Sequence, residues 1–317
     1  MKPALGGLMR KSILGIALGA VAIAGIGFVA LLVAPGDGSQ TDAPVPDLSG
    51  LWAREYLGFE PPESGPGPVA NLSRIPTGQS NPDELVGDYK NPLLKPAAAE
   101  VLKTRGEISL SGKTFPDPSN QCAPHPMPYI LWQWEIEILQ RKDEVVILYM
   151  QDHQFRHVRL NSAHPTHVTP SWSGDSVGHY EGDTLVIDTA GVKVGPLSMV
   201  DVLGTPQSEA VHVVERYRLV DYETAIEALK RADKEHIHVL PEISVGDGVA
   251  VDPAYRGKGL QLQFTVDDPN VFTMPWSASS TFLRAASEWR EGVCAENTRE
   301  YYANKDTAIP TDDTPDF

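Results

Sequence analysis

A chain of 317 residues is long enough for one large domain or two small ones, and 41% hydrophobic with 21% charged residues is an ordinary globular composition. The formal charge of −16 sets aside nucleic acid as a partner, because such a surface repels a phosphate backbone. The 27 Gly and 27 Pro favour many turns and short strands over long helices.

Residues 13–33 run for 21 positions without a charge, and Lys2, Arg10 and Lys11 precede them. Roughly 20 apolar residues span a bilayer as a helix, and basic flanks hold that end in the cytoplasm. A signal peptide has a shorter apolar core, about 7–15 residues, and a small-x-small cleavage site. Here Ala34 is followed by Pro35, a poor context for cleavage. We therefore expect residues 1–34 to be an N-terminal membrane anchor, with a cleaved signal segment as the alternative. Either exports the remainder to the periplasmic or extracytoplasmic face. Residues 35–46, rich in Gly, Pro, Asp and Ser, read as a linker.

The folded part is expected over residues 47–302. Eight prolines in residues 60–96 predict an extended wrap rather than a long element. Residues 97–103 can form a short helix. From residue 129 strand patterns dominate. Trp132, Trp134, Ile136 and Ile138 share one face of a predicted strand, with charged and polar residues on the other. Residues 145–150 are apolar on both faces, as a central strand would be. Strands are also predicted over residues 155–160, 176–188 (a hairpin turning at Gly182), 211–219, 261–266 and 277–285, the last able to close the set. Residues 225–236 carry a helical pattern inside a predicted insertion, 225–259. Residues 303–317 read as a disordered acidic tail. Short strands without alternating helices predict an all-β fold, an antiparallel β-barrel.

Period-2 counting gives one sharp result. Arg156 shares a strand face with Val158 and Leu160, and Glu215 shares one with Val213, Tyr217 and Leu219. Both faces should point inward, and an unpaired buried charge is very costly, so the two either pair or line a polar pocket. Residues 174–178 match G-x-S-x-G, but a nucleophile elbow needs a helix after the serine and a strand pattern follows instead. Ser176 is read as a hydrogen-bonding strand residue. His164, His179, Glu181 and Asp183 remain candidates for acid–base work, with Asp183 able simply to hold the hairpin turn. His153 and His157 lie too far apart on a strand to share an ion, His236 and His238 could co-ligate on a strand but fall in the predicted insertion, and no P-loop, dinucleotide fingerprint or CxxC occurs, so no metal and no cofactor is expected. Cys122 and Cys294, in an exported chain, form one disulfide; two separate buried thiols are the alternative.

The string from Ser176 to Thr189 resembles the G-H-S-x-G-x-W-E-G-D-T-L-V-V-D-T core of a group of exported bacterial hypothetical proteins. Phe155-Arg156-His157-Val158 with His164-Pro165 is similar to their F-R-R-I…H-P element, Val214-Glu215-Arg216 to V-E-R, Thr265-Val266-Asp267-Asp268-Pro269 to T-x-x-D-P, and Asp47-Leu48-Ser49-Gly50-Leu51-Trp52 to their opening. Gly204-Thr205-Pro206-Gln207-Ser208-Glu209 is similar to their G-x-P-H-S-E; Tyr180 replaces the usual Trp, and Asp175 and Gln207 replace usual His residues. The resemblance implies export and a β fold, and no reaction. Gly50-x-Trp52 also resembles the G-x-W of lipocalins, which implies a lipocalin-like barrel that holds a ligand.

The first functional expectation is a membrane-tethered periplasmic barrel that binds a small, largely apolar molecule. Trp132, Trp134, Tyr217 and Phe264 would supply apolar walls, and Arg156 and Ser176 polar contacts. The second is an acid–base enzyme (hydrolase, isomerase or lyase) using His164, His179, Glu181, Asp183 or Glu215 in the same cavity. A structural role in the envelope is the third.

Overall fold

A computed structural model describes residues 45–54, 56–132, 135–150, 153–232, 237–238, 251–287 and 294. The expected membrane segment 13–33, Trp134, residues 233–236 and 239–250 of the insertion, and the tail 303–317 lie outside the described residues.

Nine strands form a closed barrel: β1 (Gly50–Ala53), β3 (Glu135–Gln140), β4 (Glu144–Tyr149), β5 (Phe155–Leu160), β6 (Asp175–Glu181), β7 (Thr184–Ala190), β8 (His212–Val220), β10 (Gly259–Asp267) and β11 (Trp276–Arg284). Round the barrel they run β1-β11-β10-β8-β7-β6-β5-β4-β3, and β3 returns to β1 through Gly50↔Ile138 and Trp52↔Ile136. Closure removes the exposed sheet edges, which is the physical advantage of ending a meander where it began. β2 (Tyr56–Leu57) and β9 (Ile237–His238) pair antiparallel as a separate two-stranded sheet.

The all-β barrel expectation holds, with one departure. β5 and β6 pair in parallel, Val158↔Ser176 to Leu160↔Gly178, while the other barrel pairs are antiparallel. A parallel return needs a crossover of a dozen or more residues, and residues 161–174 provide one. Hairpin counting alone could not see it. The predicted hairpin forms between β6 and β7, with Glu181↔Thr184 flanking a two-residue turn whose Gly182 sits at φ 62°.

Two local expectations are corrected. Trp132 lies not on a strand but in a 3₁₀ turn, Tyr129–Trp132, where Ile130 N and Leu131 N bond to the carbonyls of Pro126 and Pro128. The helix expected at residues 97–103 extends over α1 (Pro96–Leu110), with Pro96 at its first turn. It buries Ala98, Leu102, Gly106 and Ser109 along one side.

Inward faces alternate along every long strand. Trp52, Tyr149, Tyr217, Phe264, Trp276 and Phe282 are fully buried there, so the barrel has a packed core. Phe59, Phe264, Phe272 and Trp276 meet edge-on or tilted, with ring centroids 4.9–6.2 Å apart. Cys122 and Cys294 form a disulfide.

Candidate functional site

Within the barrel, Arg156 of β5 reaches across to Glu215 of β8. Arg156 Nη1 and Nη2 donate to Glu215 Oε1 and Oε2 at 2.6 and 2.7 Å. Tyr217 donates its hydroxyl to Glu215 Oε2 at 2.9 Å, and the Thr189 and Ser176 hydroxyls bond to one another at 2.9 Å beside Arg156. Arg156 is 2% exposed and Glu215 0%. Burial opposes the charge on Arg156, but the Glu215 carboxylate outweighs it and raises the guanidinium well above its ordinary value. Burial, reinforced by the Glu215 charge, also pushes the Tyr217 hydroxyl well up. The arrangement ties β5, β7 and β8 together across the barrel interior.

A second polar cluster lies on the outer face, across four neighbouring strands. Arg159 of β5 holds Asp175 of β6 with two bonds, 2.7 and 2.9 Å. His164, from the 161–174 crossover, places Nδ1 2.8 Å from Asp175 Oδ2 and Nε2 2.8 Å from Asp188 Oδ1 on β7. His212 of β8 places Nε2 2.9 Å from the same Asp188 oxygen. Partial burial disfavours the His164 cation, but its bonds to the two carboxylates outweigh this and raise its pKa. Arg159 first, then His164, hold Asp175 below the usual carboxylate range; for Asp188 the two histidines outweigh burial in the same direction.

The pH consequence follows from these signs. A raised imidazole pKa stabilises fully below its unfolded value near 6.5 and is lost as pH rises. Lowered carboxylates stabilise above about 3.8 and are lost as pH falls. The destabilisation caused by His164→Ala is therefore expected to be greatest near pH 5 and to shrink at pH 9 and at pH 3. Urea unfolding at the three pH values reads this; a penalty flat across them would show that the cluster is not ionised as drawn.

The remaining expected site residues are dispersed. His179 Nε2 lies 3.1 Å from Glu181, which Arg216 also binds at 2.7 Å, all on the exposed outer face. Asp183 is exposed in the turn and accepts a bond from Thr184 Oγ1 at 3.2 Å. Glu215 is on the opposite face of the sheet from these three and from His164, so the expected acid–base residues do not share a cavity. Among the described residues, no group of three or more His, Cys, Asp or Glu is placed to hold a metal ion.

The third feature is a groove of about 320 Å³ outside the barrel. Helix α2 (Tyr222–Ala232) lies on the outer face of β10 and β11 through Ala225 and Ala228, both buried. A Cβ on Gly259 would come within 2.7 Å of Ala225 Cβ, so only small residues let the helix settle this close. Tyr222, Ile226 and Leu229 extend past that contact, half-buried. Together with Val251, Tyr255 and Leu283 they line the groove. No protein family, no curated protein and no solved structure matches this chain.

Sequence reasoning missed Arg159, Asp188 and His212, because each stands on a solvent-facing strand position where a charged residue is unremarkable. It also missed the groove, although the signal existed. Tyr222, Ala225, Ile226 and Leu229 follow the i, i+3, i+4, i+7 spacing of an apolar helix face.

Proposed function

We propose that this protein is an exported, membrane-tethered barrel that binds a small, largely apolar molecule, and that the binding site is the outer groove beneath α2. The observation that carries the reading is the groove itself. It is about 320 Å³, within the range of small-molecule sites, and aliphatic and aromatic side chains line it beside Arg54, Lys230, Asp252 and Arg256. The barrel interior, where Tyr217, Phe264, Arg156 and Ser176 were expected to meet a ligand, supports the reading less well, because those side chains are buried against one another and their neighbours. The uncharged residues 13–33 support the tether, and the resemblance to exported bacterial proteins supports the location.

The test uses phenylnaphthylamine, a neutral apolar fluorophore. We expect saturable binding to the protein, weakened at least tenfold by Leu229→Asp, because that change sets a charge against the apolar wall. Thermal unfolding of the variant checks that the barrel persists. Binding that survives Leu229→Asp unchanged removes the groove from consideration.

The outer histidine cluster supports a second reading, acid–base catalysis. With Nε2–H donated to Asp188, His212 keeps its Nδ1 lone pair free to accept a proton. Apolar compounds that bind in the same assay are followed for product, and turnover lost in His212→Gln would favour this reading.

A further inference from the structure

We infer that the molecule taken by the α2 groove carries one acidic head group, a carboxylate or sulfonate, received by Lys230 and Arg256. This rests on the groove being the binding site. Lys230 and Arg256 both line it, one from the last turn of α2 and one from the segment entering β10. Arg256 is held in place: Nη1 donates to the carbonyls of Pro253 and Tyr255 at 2.8 and 2.7 Å, and its guanidinium lies 5.2 Å from the Tyr222 ring centroid. Both bonds go to neutral carbonyls. Among the described residues no carboxylate neutralises Arg256, and its Nε and Nη2 make no hydrogen bond. Lys230 likewise forms no ion pair and no hydrogen bond among the described residues.

The acid lining the groove is Asp252, and its Oδ1 already accepts the Ala254 N–H at 2.9 Å, closing its own turn. A third cation, Arg54, also lines the groove but is spent on the carbonyls of Gly58 and Leu131 and on Ser280. The chain has 42 acidic against 26 basic residues, so two cations without carboxylate partners beside one apolar groove run against its overall balance. An apolar body in the groove with its acid at this rim would gain charge-assisted bonds from a guanidinium that is already oriented. The modest volume limits the occupant to an aryl or short acyl acid free in solution.

The experiment compares phenylnaphthylamine with anilinonaphthalene sulfonate, the same ring system bearing one sulfonate. The expected result is about tenfold tighter binding of the sulfonate, an advantage that fades with added salt. In Lys230→Met/Arg256→Met the ratio of the two affinities should fall to about one, with thermal unfolding checking that the barrel persists. Equal affinities for the two probes, or an advantage that survives the double substitution, would overturn the inference and leave the apolar groove standing. Failure of both probes to bind removes the underlying reading instead. Displacement of the sulfonate by phosphatidylglycerol vesicles, but not by free octanoate or phenylpropanoate, would mean that the cations face a lipid surface, and would overturn the choice of a soluble acid.

Discussion

Glu215→Leu is expected to destabilise the protein by about 3–5 kcal/mol, measured by guanidinium unfolding, because it strands Arg156 as an uncompensated charge inside the barrel. Arg156→Met should cost less, and its cost should depend on pH. The two residues are asymmetric. A buried carboxyl left without its partner takes up a proton and becomes neutral as pH falls, whereas a guanidinium stays charged at every accessible pH. The Arg156→Met penalty should therefore shrink toward acid pH and the Glu215→Leu penalty should not. The double variant Arg156→Met/Glu215→Leu should recover much of the loss, since a buried ion pair repays its desolvation poorly and an apolar pair avoids it. Arg156 Nε, which has no partner among the described residues, adds to the cost of the native pair. Single variants costing under about 1 kcal/mol would mean that water reaches the pair, and the packed interior would be wrong.

This pair was legible in the sequence for a specific reason. Period-2 alternation assigns each residue of a strand to a face without knowledge of its neighbours, and the energetic penalty on a lone buried charge then demands a partner. Two strands carried one misplaced charge each, of opposite sign, so a direct pair was one of two expected outcomes, a shared polar pocket being the other, and the structure shows the pair. Closure of the barrel was legible only as a possibility, because a last strand over residues 277–285 was available to close the set, while Ser280–Leu283 of β11 are buried without alternation. Other features depend on information that alternation does not contain. The parallel β5–β6 pairing is decided by the path of residues 161–174, and their sequence reads only as turn-rich. The outer cluster draws on five separate segments, and its members occupy faces where any polar residue is tolerated. Whether nine strands enclose a void or a core is a matter of summed volume: Trp52, Trp276, Tyr149, Tyr217, Phe264 and Phe282 fill the space, and composition alone cannot distinguish six aromatics that fill a barrel from six that line one.

Reducing the Cys122–Cys294 disulfide is expected to have an effect of similar size. The bond spans a sequence separation of 172 residues, and that loop contains every barrel strand except β1. On the chain-entropy model such a cross-link destabilises the unfolded ensemble by roughly 4–5 kcal/mol. The topology sharpens the expectation. The barrel closes only when β11 pairs with β1, so its final contacts join the two ends of the fold, and the disulfide anchors the chain just beyond β11 to the segment just ahead of β3. Without it, that closure must be found from a wholly open chain, the costliest kind of contact to form. Cys122→Ser/Cys294→Ser should therefore unfold at markedly lower guanidinium concentration, refold more slowly, and show a steeper dependence on denaturant because its unfolded state is more expanded. Treating the parent protein with dithiothreitol should reproduce all three changes. If the reduced and oxidised proteins unfold together, the loop closed by the disulfide is already restricted in the unfolded chain, and the entropic account of how this barrel is held shut fails.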